Sequence, residues 1–151
     1  MTRAACWLLL LAATLPLPHA EATAQSVQGV LQSFGLLGTW APDCSEPPNP
    51  LHPHATYTAE PSGQASMSYE SGAHAPRSAY AILGAERVAA DMLRLREEWL
   101  HDHSGLEVTL RKFRGKVKVW LSREPDGKVL VRDGAVLATG YVSPWMTRCS
   151  G

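Results

Sequence analysis

The sequence predicts a mainly β domain built from antiparallel hairpins, preceded by a short N-terminal helix. Apolar and polar residues alternate over Leu106–Arg111 and Lys116–Leu121, and a period of two is the pattern of strands with one buried face. Glycine-containing turns separate such segments, and the pair at 133–134, Asp-Gly, is typical of a two-residue hairpin turn. These observations predict a four-stranded antiparallel meander over residues 105–140.

Composition limits the class of protein. The chain has 151 residues, with 14 Lys and Arg and 14 Asp and Glu, so its formal net charge is zero. The length fits one domain. A net charge of zero argues against a general nucleic-acid binder, which needs surplus Lys and Arg to release counterions from phosphates. With 45% hydrophobic and 19% charged residues, the composition is that of a globular domain and not of a disordered tail.

Residues 1–24 are predicted to be a secretory signal peptide. Arg3 precedes an apolar run, and small residues follow up to Ala24, which is the order of such signals. The run is shorter than the roughly 18–20 residues that span a bilayer, and prolines interrupt it. We therefore expect no membrane span and a mature protein of residues 25–151 in the periplasm or outside the cell.

Removing the signal peptide leaves an even pair of cysteines, Cys44 and Cys149. In an oxidising compartment an even pair is most simply a disulfide. Closing so long a loop stabilises a domain by about 4–5 kcal/mol in the chain-entropy model. The alternative, two free thiols that bind a metal, has no C-x-x-C spacing to support it. Residues 25–151 are thus predicted to form a single disulfide-closed domain.

The N-terminal part of the mature chain contains three further elements. Apolar residues at helical spacing predict one short helix, namely Val27, Val30, Leu31 and Phe34. A proline-rich loop follows over residues 41–53, where regular helix and central strand are excluded. A further hairpin is expected from two short segments on either side of Pro-Ser-Gly, Ala55–Glu60 and Ala65–Glu70.

Periodicity alone does not decide between helix and strand at residues 79–100. Apolar residues there fit the a and d positions of a heptad, which favours an amphipathic helix. The strand interpretation breaks the stretch at Gly84 and at Ala90-Asp91. In this interpretation Leu95 points inward, and Glu97 must either be buried or lie at a bulge.

The order of these features resembles small lipocalin-like barrels, above all the small secreted bacterial proteins of that shape, many of unknown function. The resemblance depends on the signal peptide, the short helix, Gly38-Thr39-Trp40 before the hairpins, and the late Cys149, and it covers most of residues 35–150. It implies a small antiparallel up-and-down barrel, strands at 79–100, and a structural Trp40 that closes one end. The chain is shorter than typical lipocalins and lacks their long C-terminal helix, which argues against a roomy ligand cavity.

A barrel of this kind would place a set of large side chains in its interior. These are candidates for ligand contact, although small barrels usually fill their interior with side chains. The candidates are Tyr57, Met67, Tyr69 and Tyr80.

A second candidate region is the basic hairpin around residues 111–123, which has no acidic residue. Lys116, Lys118 and Trp120 are candidates for a contact surface, with an anionic partner as the functional interpretation. The alternative is that the lysines protect a strand edge from aggregation. Trp120 points outward on strict alternation, where it either packs against the N-terminal helix or marks a contact surface.

The sequence predicts neither catalysis nor a metal or other cofactor. It contains no G-x-S-x-G elbow and no glycine-rich phosphate loop. The histidine pairs at 52/54 and 101/103 fall in expected loops, and two ligands do not complete a metal site.

We therefore expect an exported, non-catalytic binding protein of the bacterial envelope. Its ligand would be a small apolar molecule at the barrel mouth, or another envelope protein on the outer face. One alternative is an inhibitor of a secreted protease that acts through residues 25–37. Another is an enzyme with an interior carboxylate near Glu97. The identity of the ligand and the oligomeric state stay open.

Overall fold

The computed structural model describes residues 25–73 and 77–149, and the predicted signal peptide at 1–24 lies outside them. Within these residues the chain forms one antiparallel sheet of ten strands, curled into a half-barrel, and one short helix. The helix, α1, spans Val27–Phe34. The strands are β1 Gly38–Ala41, β2 His54–Ala59, β3 Ala65–Glu70, β4 Ser78–Ala89, β5 Met92–Trp99, β6 Gly105–Phe113, β7 Lys116–Arg123, β8 Val129–Arg132, β9 Ala135–Val136 and β10 Thr147–Arg148. The prediction of a mainly β fold is confirmed.

Helix α1 has well-formed ends that its sequence explains. The Ser26 hydroxyl accepts a hydrogen bond from the Gly29 amide at 3.1 Å, which caps the N-terminus. Gly35 ends the helix in the left-handed conformation, with φ 74°, where a glycine avoids the steric penalty of a Cβ. The side of the helix that faces the sheet is buried through Val30, Leu31 and Phe34.

Each strand from β1 to β8 pairs antiparallel with the next one along the chain, and β10 pairs with β1. Arg148 lies opposite Trp40 in that pair, while Met146, just before β10, forms a bridge with Val117 in β7. Residues 146–148 therefore hydrogen-bond to strands on two sides.

A disulfide joins Cys44 to Cys149, as predicted from the even pair. It lies directly after β10, where the amide of Cys149 donates to the carbonyl of Thr39 at 2.8 Å. The bond thus ties the end of the described chain to the loop that follows β1. That loop, residues 42–53, contains no helix or strand.

Residues 79–89 and 92–99 form strands joined by a turn at Ala90-Asp91, so the break expected there is confirmed and the helical alternative is wrong. The expected break at Gly84 is also wrong, because β4 continues from Ser78 to Ala89 and shifts register between Ile82 and Gly84. A side chain at 84 would meet the Arg96 guanidinium, since an added Cβ would lie 2.8 Å from its Nε. Glycine lets the strand bulge and continue where another residue would be crowded.

The hydrophobic core lies between α1 and the inner face of the sheet. Leu31, Phe34 and Leu36 pack in one cluster with inward residues of the strands. Trp40 belongs to this cluster, and its Nε1 donates to the carbonyl of Leu36 at 2.7 Å. The indole is therefore a buried structural group beneath the connection between α1 and β1.

A bulge in β7 changes which residues face the interior. Thr109 pairs with Leu121, but Leu110 pairs with Val119, so Trp120 is the extra residue. The alternation over Lys116–Leu121 predicts that Leu121 lies on the same buried face as Val119, and the bulge makes this wrong. One extra residue exchanges the two faces of a strand, and Ser122 becomes buried instead.

No helix among residues 25–73 and 77–149 is long and apolar enough to cross a membrane.

Candidate functional site

A cavity of about 270 Å³, largely open to solvent, lies on the inner face of the curled sheet. All four residues that the sequence predicted for the interior line it, namely Tyr57, Met67, Tyr69 and Tyr80. Seven further residues complete the wall: Glu97, Leu106, Val108, Val119, Ser122, Val131 and Ser143. The wall is therefore mostly apolar and aromatic, with one ionisable carboxyl group.

Strand register brings these side chains together. Tyr57 lies opposite Met67, which in turn lies opposite Tyr80. Glu97 lies between Ile82 and Leu106 in the same way. Directly opposed residues of antiparallel strands project to the same face, so these two rows meet on the inner face.

Burial changes from the inner part of the cavity to its opening. Glu97 and Tyr57 are 3% and 6% exposed, whereas Tyr69 is 37% exposed and Tyr80 is half-buried. A molecule that entered between Tyr69 and Tyr80 would thus meet Glu97 at the inner end.

Glu97 is buried because it continues the inward alternation of β5. Leu95 and Leu93, two and four positions earlier, are both fully buried. Within residues 25–73 and 77–149, no hydrogen-bond partner reaches Oε1 of Glu97, although buried polar atoms in proteins are nearly always paired. Burial raises the pKa of this carboxyl to about 7, because a low-dielectric environment disfavours the charged form.

The phenols of the cavity stay neutral around pH 7. Burial raises the pKa of Tyr57, and the charge of Glu97 raises it further. Burial is also the main cause of the raised pKa of Tyr69 and of Tyr80. Among the lining residues, Glu97 is thus the group that changes charge near neutral pH.

Sequence reasoning named Glu97 as an interior carboxylate only for the enzyme alternative, and it did not select Ser122. The alternation of Leu93, Leu95 and Glu97 was the available sign for Glu97, since an acid at an inward strand position is exceptional. For Ser122 there was no such sign, because its inward direction depends on the bulge at Trp120.

The basic hairpin does not offer all three predicted contact residues to solvent. Lys116 is exposed, but Lys118 is only 7% exposed, so its predicted place on a contact surface is wrong. Its stem packs on Gly134, where any side chain would overlap it, and its Nζ lies 5.7 Å from the centre of the Trp145 ring. The later part of the chain covers this lysine.

Trp120 lies on the outer face and is half-buried. The Arg111 guanidinium carbon stands 4.7 Å from the centre of its ring, and Lys118 Nζ lies 6.0 Å away on the same strand. Cations near an indole face are attracted to it. The indole therefore already has cationic neighbours within its own sheet.

The histidines of the two candidate pairs have separate neighbours. His54 Nε2 lies 3.1 Å from the carbonyl of Glu46. His103 Nδ1 lies 2.8 Å from the Glu98 carboxylate, and this hydrogen bond raises the pKa of His103. Over the part of the chain that the structure describes, no three His, Cys, Asp or Glu residues are grouped so as to hold a metal ion.

Comparisons with known protein families, with curated proteins and with solved structures found no match for this chain. The cavity and the chemistry of its wall are therefore the features that bear on function. Those two features together make the inner face of the sheet the candidate functional site.

Proposed function

We propose that this protein is an exported, non-catalytic binding protein of the bacterial envelope that holds a small, largely apolar molecule in its interior cavity. The observation that carries the proposal is a cavity of about 270 Å³ whose apolar and tyrosine wall contains one buried carboxyl oxygen without a partner. Small-molecule sites have this character, with a mostly apolar lining and a few placed polar groups. The volume falls just below the usual range of roughly 300–1,000 Å³, which favours a small ligand.

The proposal includes a closed, lipocalin-like barrel as the frame of the site. The pairing of Arg148 with Trp40 and the bridge from Met146 to Val117 support it, because these residues lie between β1 and β7. Closure removes exposed sheet edges and shields the interior from water. Export by a signal peptide at residues 1–24 is part of the same proposal, and the disulfide agrees with an oxidising compartment.

An enzyme with an interior carboxylate is the second candidate, and Glu97 is the observation that favours it. A carboxyl group with a pKa of about 7 suits general acid–base catalysis near neutral pH. Nucleophilic catalysis also needs a base hydrogen-bonded to a nucleophile, and Oε1 of Glu97 has no such partner. Binding is therefore the better supported function.

The protease-inhibitor alternative gains no support from the position of residues 25–37. Leu31, Phe34 and Leu36 are buried in the core. Inserting this segment into a protease would first expose those side chains to water, at a cost in free energy.

The test is binding of the uncharged fluorescent probe phenylnaphthylamine, together with native mass spectrometry for co-purifying small molecules. Leu106→Trp places a large side chain in the cavity wall, while Leu83→Trp makes the same change at an exposed position of β4. We expect the wild type and Leu83→Trp to bind the probe with equal affinity, and Leu106→Trp to bind at least ten-fold more weakly. Equal affinity in all three folded proteins would place the probe elsewhere and contradict the proposal.

A further inference from the structure

We propose that the ligand is a small apolar amine, whose protonated amino group donates hydrogen bonds to the carboxylate of Glu97 while its apolar body lies against the tyrosine side chains. This inference rests on the proposed function, since it names the chemistry of the molecule that the cavity would hold.

The inner end of the cavity contains an unsatisfied hydrogen-bond acceptor. Glu97 is 3% exposed and lines the cavity, and its Oε1 has no hydrogen-bond partner among the residues that the structure describes. A buried acceptor without a donor is costly. A ligand that brings a donor to the inner end of the cavity removes this cost, and an ammonium group brings three donors.

A second feature is the charge of the wall. The lining residues include one acidic side chain and no Lys, Arg or His. The carboxylate therefore has no cation to compensate it, which is why burial raises its pKa. A cationic ligand supplies the missing charge, whereas an anionic ligand meets a negative group in a poorly hydrated place.

A third feature is the aromatic wall. Tyr57 and Tyr80 lie close enough to Glu97 that its charge raises the pKa of both phenols, and Tyr69 lines the opening. The electron-rich faces of tyrosine rings attract ammonium groups. The carboxylate and the rings thus favour the same type of ligand.

The pH dependence follows from the groups that face Glu97. From β2 and β4 these are Tyr57 and Tyr80, whose raised pKa keeps them neutral. The neighbours opposite Glu97 on β4 and β6, Ile82 and Leu106, do not titrate. Amine binding should therefore weaken as pH falls through about 7, because Glu97 takes up a proton while an alkyl amine stays charged.

The experiment is displacement of phenylnaphthylamine by three ligands of equal length, hexylamine, hexanol and hexanoate. At pH 8 we expect hexylamine to displace the probe at a concentration at least ten-fold lower than hexanol, with hexanoate the weakest. In wild-type protein this advantage should shrink several-fold at pH 5.5. In Glu97→Gln at pH 8, hexanol and hexylamine should displace the probe at nearly equal concentrations.

Glu98→Gln is the matched control, because it removes the same charge from the neighbouring residue, whose carboxylate bonds to His103. It should keep the amine preference. If hexylamine and hexanol displace the probe equally well from the wild type, the amine inference fails while binding in the cavity stands. A preference that survives in Glu97→Gln also overturns the inference. If the wild type binds neither the probe nor any of the three compounds, the proposed function fails with it.

Discussion

The burial of Glu97 predicts that this protein becomes less stable as the pH rises toward neutrality. In the folded state the carboxyl has a pKa of about 7, against an ordinary value of 4.5. Between these values the folded protein holds a proton that the unfolded chain releases. The free energy of unfolding therefore falls as pH rises from 4.5 to 7. The stabilisation that the protonated Glu97 provides is complete below pH 4.5 and lost above pH 7.

The size of the effect follows from the same two pKa values. Each unit of difference corresponds to 1.36 kcal/mol, so the interval from 4.5 to 7 represents about 3 kcal/mol. This is a substantial part of a typical stability of about 5–15 kcal/mol. Solvent screens this contribution little, because Glu97 is almost fully buried.

Glu97→Gln isolates this contribution, since glutamine has nearly the same shape but does not titrate. Between pH 4.5 and pH 8 the wild type should lose about 3 kcal/mol of its free energy of unfolding relative to the variant. Urea unfolding followed by tryptophan fluorescence, with the disulfide intact, measures this difference.

Comparison at each pH removes the contributions that both proteins share. His103, whose pKa is raised by its bond to Glu98, also stabilises at low pH and loses its effect as pH rises, but it is present in both. Glu60→Gln, at an exposed position, should follow the wild type at every pH. A difference between Glu97→Gln and wild type that does not change with pH would refute the reasoning, because it would mean that Glu97 ionises as it does in the unfolded chain.

Two further predictions concern stability. The Cys44→Ser/Cys149→Ser variant should have a free energy of unfolding about 4–5 kcal/mol lower in urea unfolding, because the disulfide closes a loop with a sequence separation of 105. An unchanged unfolding midpoint would show that the bond does not restrict the unfolded chain. Phe34→Ala should lower the free energy of unfolding by about 3–5 kcal/mol, since Phe34 is fully buried in the core. The control Gln32→Ala, on the exposed side of α1, should change the thermal midpoint little. Equal effects of the two substitutions would mean that α1 does not pack on the sheet.

Much of the fold was predictable because it depends on local pattern. The alternation over residues 105–123 indicates strands by itself, and Asp133-Gly134 is a turn sequence wherever it occurs. The cysteine pair needed only an even count and an oxidising compartment. The strands at 79–100 were harder to predict, since the same apolar residues also fit a helix.

The candidate site was predictable only in part. Tyr57, Met67, Tyr69 and Tyr80 were expected in the interior and line the cavity. The wrong expectations for Leu121 and Lys118 have structural causes. The bulge at Trp120 reverses which residues of β7 face the interior after that position. Gly134 and Trp145 cover Lys118.

The sequence by itself determined the strand class, the turns and the covalent link between Cys44 and Cys149, because these follow from periodicity and composition. Only the tertiary structure decided that Ser122 faces the cavity and that Glu97 lies there without a partner. The physical reason is that strand register and desolvation are not local. A bulge takes effect only against a paired strand, and the pKa of a carboxyl depends on every element that excludes water from it.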